Sequence, residues 1–163
     1  MADSDVVLER TLDAPRAMVW KALTTPELIR QWWAPRPYQT PDCAIALHPA
    51  GAFYTRMTGP DGFEHKGASC VLEVVDGEKL VWTSALGPDW RPNELAEEDC
   101  GGIAFTAVIT LEDKGDGRTL YRAVAMHRNQ ADRITHESMG FHDGWGTCAD
   151  QLGEVASGIA AEA

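Results

Sequence analysis

Between Pro41 and His127 the chain carries six short segments of alternating apolar residues, each closed by a turn signal, with no helical pattern between them. This constrains the fold more than any other feature, because strands that follow one another without a crossover helix pair antiparallel. Cys43–Leu47 is the first and ends at Pro49-Ala50-Gly51. Phe53, Thr55 and Met57 alternate in the second, before Gly59-Pro60-Asp61-Gly62. Lys66 to Val75 is the third, closed by Asp76-Gly77, and Leu80 to Ala85 is the fourth. Ile103 to Leu111 and Thr119 to His127 form the last pair, joined through Lys114-Gly115-Asp116-Gly117. A polar connection from Gly87 to Gly102 separates the fourth and fifth segments and holds Glu94, Glu97, Glu98 and Asp99. It is long for a hairpin loop; its acids read as a solvated loop or, alternatively, as a cover over a pocket or a partner site.

The flanks are different. Residues 6–13 read as a strand, after which Asp13 or Ala14 caps a helix with Pro15 in its first position. Thr25-Pro26 restarts a second helix carrying Leu28, Ile29, Trp32 and Trp33, and Pro35 and Pro37 end it. From Asp132 to about Ile159 apolar residues recur at Phe141, Trp145, Cys148, Leu152 and Val155, at spacings of 4, 3, 4 and 3 that put them on one helical face. Gly140, Gly144, Gly146 and Gly153 would weaken an isolated helix. They imply close packing, or a kink near Gly144 and Gly146. The expected architecture is α+β: a curved antiparallel sheet of about seven strands around a long C-terminal helix, with two short helices after strand 1. It forms one domain over residues 1–163, with a cavity between sheet and helix.

The net charge of −11 disfavours nucleic acid and anionic membrane surfaces as partners. No apolar run is long enough to span a membrane. The acidic Met1-Ala2-Asp3-Ser4-Asp5 start is unlike a signal peptide, and four cysteines without a CxxC pair suit a reducing compartment, so a cytoplasmic location is expected. No phosphate-binding, nucleophile-elbow or metal-ligand spacing occurs, and no cofactor or metal is expected.

Several separated pieces, in order, resemble the START-like, Bet v 1-like helix-grip superfamily, and within it the branch named after the activator of Hsp90 ATPase. They are Ala14-Pro15-Arg16-Ala17-Met18-Val19-Trp20-Lys21-Ala22-Leu23, then Pro26-Glu27-Leu28 with Trp32-Trp33-Ala34-Pro35, then Gly51-Ala52-Phe53. Gly67 with Leu72-Glu73-Val74 and Glu78-Lys79-Leu80-Val81-Trp82-Thr83 follows, and Gly144-Trp145 with Leu152 closes the set. The resemblance covers roughly residues 5–157 and implies the helix-grip fold. It implies a range of roles: binding of apolar ligands, lipid transfer, polyketide cyclisation, toxin–antitoxin partnership and co-chaperone work. The eukaryotic co-chaperone has an additional N-terminal Hsp90-binding domain for which these residues leave no room, so that activity is not expected.

Strand alternation, with one of the paired tryptophans and the apolar face of the C-terminal helix, then gives the candidate lining of the cavity: Trp33, Phe53, Thr55, Met57, Trp82, Phe105, Tyr121, His127, Phe141, Trp145 and Cys148. Tyr121, Ala123, Ala125 and His127 are chosen as the inward face of the last strand because small residues let a helix approach. Most of these side chains would serve equally as plain core. His127 and His142 are the candidate internal polar groups, and His48, His65 and His136 read as loop or surface residues. Arg56 and Glu73 are expected to face each other as an ion pair, or one of them to point inward. Cys148 reads as an inert thiol unless a base such as His127 lies beside it. The leading expectation is a protein that binds a small apolar or aromatic molecule. An enzyme of the cyclase or dehydratase kind, using His127 with Tyr121 or Glu73, and a protein-interaction module are the alternatives. A homodimer is compatible with the sequence.

Overall fold

The computed structural model describes residues 2–95 and 102–162, so Glu97, Glu98 and Asp99 of the acidic loop lie outside the described residues. Seven strands form one sheet: β1 (Asp5–Leu12), β2 (Gln39–Ile45), β3 (Ala52–Thr58), β4 (Glu64–Val75), β5 (Lys79–Thr83), β6 (Phe105–Asp113) and β7 (Thr119–His127). Every neighbouring pair is antiparallel, in the order β1-β7-β6-β5-β4-β3-β2. β2 to β7 run as a meander, joined by hairpins and by one long connection between β5 and β6. The first strand is the exception. It joins the last, with Val6 opposite Ala125 and Leu8 opposite Ala123. The segment holding α1 (Arg16–Thr24) and α2 (Pro26–Ile29) carries the chain from that edge of the sheet to the other. The sheet is curved and not closed, and the fold is the expected helix grip.

The inner face follows the alternation. Phe105, Ala107, Ile109 and Leu111 on β6 are buried, as are Tyr121, Ala123, Ala125 and His127 on β7. β4 carries an irregularity between Val71 and Glu73, so Cys70 and Val71 are both buried in succession.

The helices depart from expectation in three places. Pro15 is itself the N-cap of α1 and not its first helical residue, so the helix starts one residue later than expected. α2 stops at Ile29, so Trp32 and Trp33 follow it in a turn and do not sit on a helix. The expected single C-terminal helix is two: α3 (Gln130–Ser138) and α4 (Phe141–Glu162). They break at Gly140, where φ is +93°, a conformation that side chains disfavour. No kink at Gly144 or Gly146 is needed to explain the glycines.

α4 packs on α1 and β1. Its buried small residues Gly146, Ala149, Gly153 and Ala156 fall at helical spacing on one face. A β-carbon on Gly153 would sit 3.1 Å from the Leu12 side chain, so helix and strand are near contact there. A second face of α4, with Phe141, Trp145, Cys148 and Leu152, points toward the sheet. α4 thus lies toward the β1 side of the sheet and leaves the inner faces of β3, β4 and β5 less covered. A cavity remains there.

Candidate functional site

The cavity has a volume of about 440 Å³. Trp33, Phe53, Thr55, Met57, Trp82, Phe105, Tyr121, Trp145 and Cys148 border it. Its walls are a continuous aromatic set. Trp33 meets Phe53 and Trp82 at centroid distances of 5.0 and 5.9 Å, and Trp82 meets Phe105 at 5.4 Å. Trp145 stacks on Phe141 at 4.7 Å and lies near-parallel to Trp82 at 6.4 Å. Edge-to-face and offset contacts of this kind hold rings in fixed orientations.

Two of the expected lining residues stand elsewhere. Phe141 is buried behind Trp145, and His127 lies one layer back from the cavity. The imidazole that borders the cavity on the helix side is His136, on α3. It was expected on the surface and is 5% exposed. His142, expected inside, is exposed and contacts Glu137 Oε2 at 3.2 Å. His65 lies on β4 and also borders the cavity, while His48 stays exposed.

The two buried histidines form a relay. The Ser4 carbonyl accepts from the His127 backbone N–H at 3.1 Å and lies 2.9 Å from His127 Nδ1. His127 Nε2 is 2.7 Å from His136 Nδ1. Burial, with His127 beside it, pushes the His136 pKa down to about 4, so this ring stays neutral near pH 7.

Two turns around Trp33 are tied to α4. Gln151, 4% exposed, donates from Nε2 to the carbonyls of Trp32 (3.1 Å) and Ala34 (2.9 Å) and accepts from Arg36 N–H at 3.2 Å. The Cys148 thiol donates to the Trp33 carbonyl at 3.2 Å. Three consecutive carbonyls are thereby satisfied by one helix. Trp32 is core, its indole N–H donating to Ala22 O at 2.9 Å, and this directs Trp33 to the cavity. At the rim, Asn93 Nδ2 donates to Ala68 O and Ser84 O, fastening the segment after β5 across the sheet so that Glu94 and Leu95 border the opening.

The polar inventory corrects several expectations. Arg56 pairs with Glu64 at 2.7 Å and Glu73 with Lys79 at 3.1 Å, both exposed, so neither points inward and they do not meet. The Cys148 pKa is pushed up to about 12 by burial, which leaves a thiol and no nucleophile. Burial also raises the Tyr121 pKa, so its phenol is a neutral donor. Tyr121 and His127 are six residues apart on β7, roughly 20 Å at about 3.3 Å per residue, and cannot act on one substrate atom. Among the described residues no cluster of His, Cys, Asp or Glu could hold a metal, and no helix is long and apolar enough to cross a membrane.

A family model described as activator of Hsp90 ATPase homolog 1-like protein matches residues 13–157. The chain belongs to this family. Protein NE0264 from Nitrosomonas europaea is 42% identical over 99% of each chain, and its crystal structure superposes with a TM-score of 0.89. Two further solved structures share the fold. One is a protein from Rhodobacter sphaeroides at 17% identity and a TM-score of 0.79, covering 98% of this chain and 95% of that one. The other is a protein from Arthrobacter aurescens at 20% and 0.74, covering 95% and 87%. A comparison with curated proteins found no match. Membership in the activator of Hsp90 ATPase homolog 1-like family thus accounts for the helix grip, while the chemistry of the cavity must be read from its own side chains.

Sequence reasoning missed His136 and Gln151. The first sits in a helix whose pattern is polar throughout, with Ile134 exposed and the histidine buried. A usable signal existed: Asn129 caps α3, its side chain accepting from Asp132 N–H at 2.8 Å. A cap two residues after β7 turns the helix back over the strand end. Gln151 carried no signal, because its partners are carbonyls more than a hundred residues away.

Proposed function

We propose that this protein binds a small, mostly apolar, aromatic molecule in the cavity between sheet and helix. The observation that carries the reading is the aromatic wall formed by Trp33, Phe53, Trp82, Phe105 and Trp145 around about 440 Å³, a volume within the usual range for small-molecule sites. Preformed apolar surface of this kind favours flat apolar ligands, since few rotamers need be frozen on binding. The free thiols of Cys43, Cys70 and Cys148 support a reducing, cytoplasmic setting for this binding.

The test is titration with N-phenyl-1-naphthylamine, a neutral apolar fluorophore, alongside native mass spectrometry of the freshly purified protein. Saturable one-to-one binding is expected, weakened roughly tenfold or more in Trp33→Ala, as for loss of a buried aromatic anchor. The same spectra should carry an additional mass that leaves on denaturation, and they also read the monomer–dimer distribution. Absence of saturable probe binding to the wild-type protein would refute the reading.

A further inference from the structure

The relay behind the cavity fixes which nitrogen of His136 carries a proton. A carbonyl can only accept, so the Ser4 oxygen requires the His127 proton on Nδ1. A His127 that carries that one proton presents Nε2 as an acceptor, and the 2.7 Å contact then places the His136 proton on Nδ1. His136 Nε2 is left with a bare lone pair. No group among the described residues hydrogen-bonds to it. Among the described residues the fully enclosed side-chain nitrogens and oxygens that lack a partner are Thr40 Oγ1 and Arg133 Nε, so His136 Nε2 is open to the cavity and not sealed. Its residue is 5% exposed and borders the cavity.

The ring is also held in place. Phe105 lies 4.9 Å from it and Phe141 5.1 Å, while His127 stands at 5.0 Å. A lone pair that is oriented, faces a mostly apolar cavity and has no protein partner gains from being matched, and an immobile ring loses little freedom when it is.

From this geometry we infer that His136 Nε2 is a specificity-determining acceptor: the ligand carries an O–H or N–H donor at the end seated against α3, and an otherwise identical molecule without that proton is discriminated against. The inference rests on the cavity-binding reading and adds to it the polarity of the ligand's buried end. Fixed acceptors reject analogues that lack the donor, since the acceptor then loses its partner when the ligand displaces water from it.

The experiment compares 2-naphthol, which has the donor, with 2-methoxynaphthalene, which lacks it, by isothermal titration calorimetry at pH 7.5. Wild-type protein should bind 2-naphthol at least about fivefold more tightly, the scale of one net hydrogen bond. His136→Phe should bind both equally, since it keeps a ring and removes the acceptor. Long-range ¹H–¹⁵N spectra of the wild-type protein should show both His127 and His136 protonated at Nδ1, with the His136 Nε2 resonance moving on addition of 2-naphthol only. These spectra decide the matter even if the variant does not fold. Equal affinities in the wild type, a preference that survives in His136→Phe, or a His136 proton on Nε2 would each overturn the inference while leaving cavity binding intact. Failure of both naphthalenes to bind would overturn the two together.

Discussion

Gln151 shows how a single side chain can hold a wall of the cavity in place. It is buried with both ends of its amide occupied, and its partners are the backbone on either side of Trp33. Replacing it with leucine keeps the bulk and strips two carbonyls and one N–H of their partner. Each unsatisfied buried group costs roughly 1–3 kcal/mol. Gln151→Leu should therefore lower stability by about 2–4 kcal/mol in urea unfolding and broaden the Trp33 indole signal in nuclear magnetic resonance. A loss below about 0.5 kcal/mol would mean that water replaces the amide. The Cys148 thiol serves the same backbone. It holds a carbonyl and, with its pKa pushed up to about 12, offers no thiolate for chemistry.

At the scale of elements, the glycines of the C-terminal region divide by what surrounds them. Gly140 ends α3 with φ at +93°, so Gly140→Ala forces a side chain into the left-handed region at a cost of about 1–2 kcal/mol. Gly158 is exposed within α4, and a β-carbon there would meet nothing within 4 Å. Gly158→Ala should stabilise by roughly 0.5–1 kcal/mol through helix propensity and a less flexible unfolded chain. Thermal melts of the pair should move in opposite directions. Matching shifts would mean that the break between α3 and α4 is not set at Gly140. The sequence pattern alone could not separate these glycines, since both lie in the same periodic stretch. It did carry the strand side of the problem. Ala123 and Ala125, alternating with Arg122, Val124 and Met126, marked the inward face of β7 because small side chains leave space under a helix. Partners set by tertiary register were less legible: Arg56 finds Glu64 through the tight β3–β4 hairpin, and Glu73 is claimed by Lys79 across the next one.

For the molecule as a whole, the buried histidine layer links stability to pH. His136 titrates near its ordinary value of 6.5 when unfolded and near 4 when folded. Between those values the unfolded chain binds more protons, so stability rises with pH. The contribution is complete above about pH 6.5 and is lost as pH falls toward 4. Its size is on the order of 2 kcal/mol after allowance for solvent screening. Unfolding midpoints measured from pH 7.5 to 4.5 should fall for wild-type protein and fall less for His136→Phe; identical slopes would remove His136 as the cause. The overall architecture was legible because hairpin turns and strand alternation are local signals. The pairing of β1 with β7 was not, since it joins the two ends of the pattern across the whole chain. Nor was the histidine layer, which that pairing creates.

The root of that layer is a main-chain atom. The Ser4 oxygen that orients His127 belongs to the peptide backbone, and the serine side chain takes no part. Any residue at this position would supply the same oxygen, provided that the first strand keeps its alignment with the last. The requirement is thus written in strand alignment and not in a letter of the sequence. A substitution at position 4 therefore leaves the imidazole aimed for as long as the first strand keeps its place beside the last.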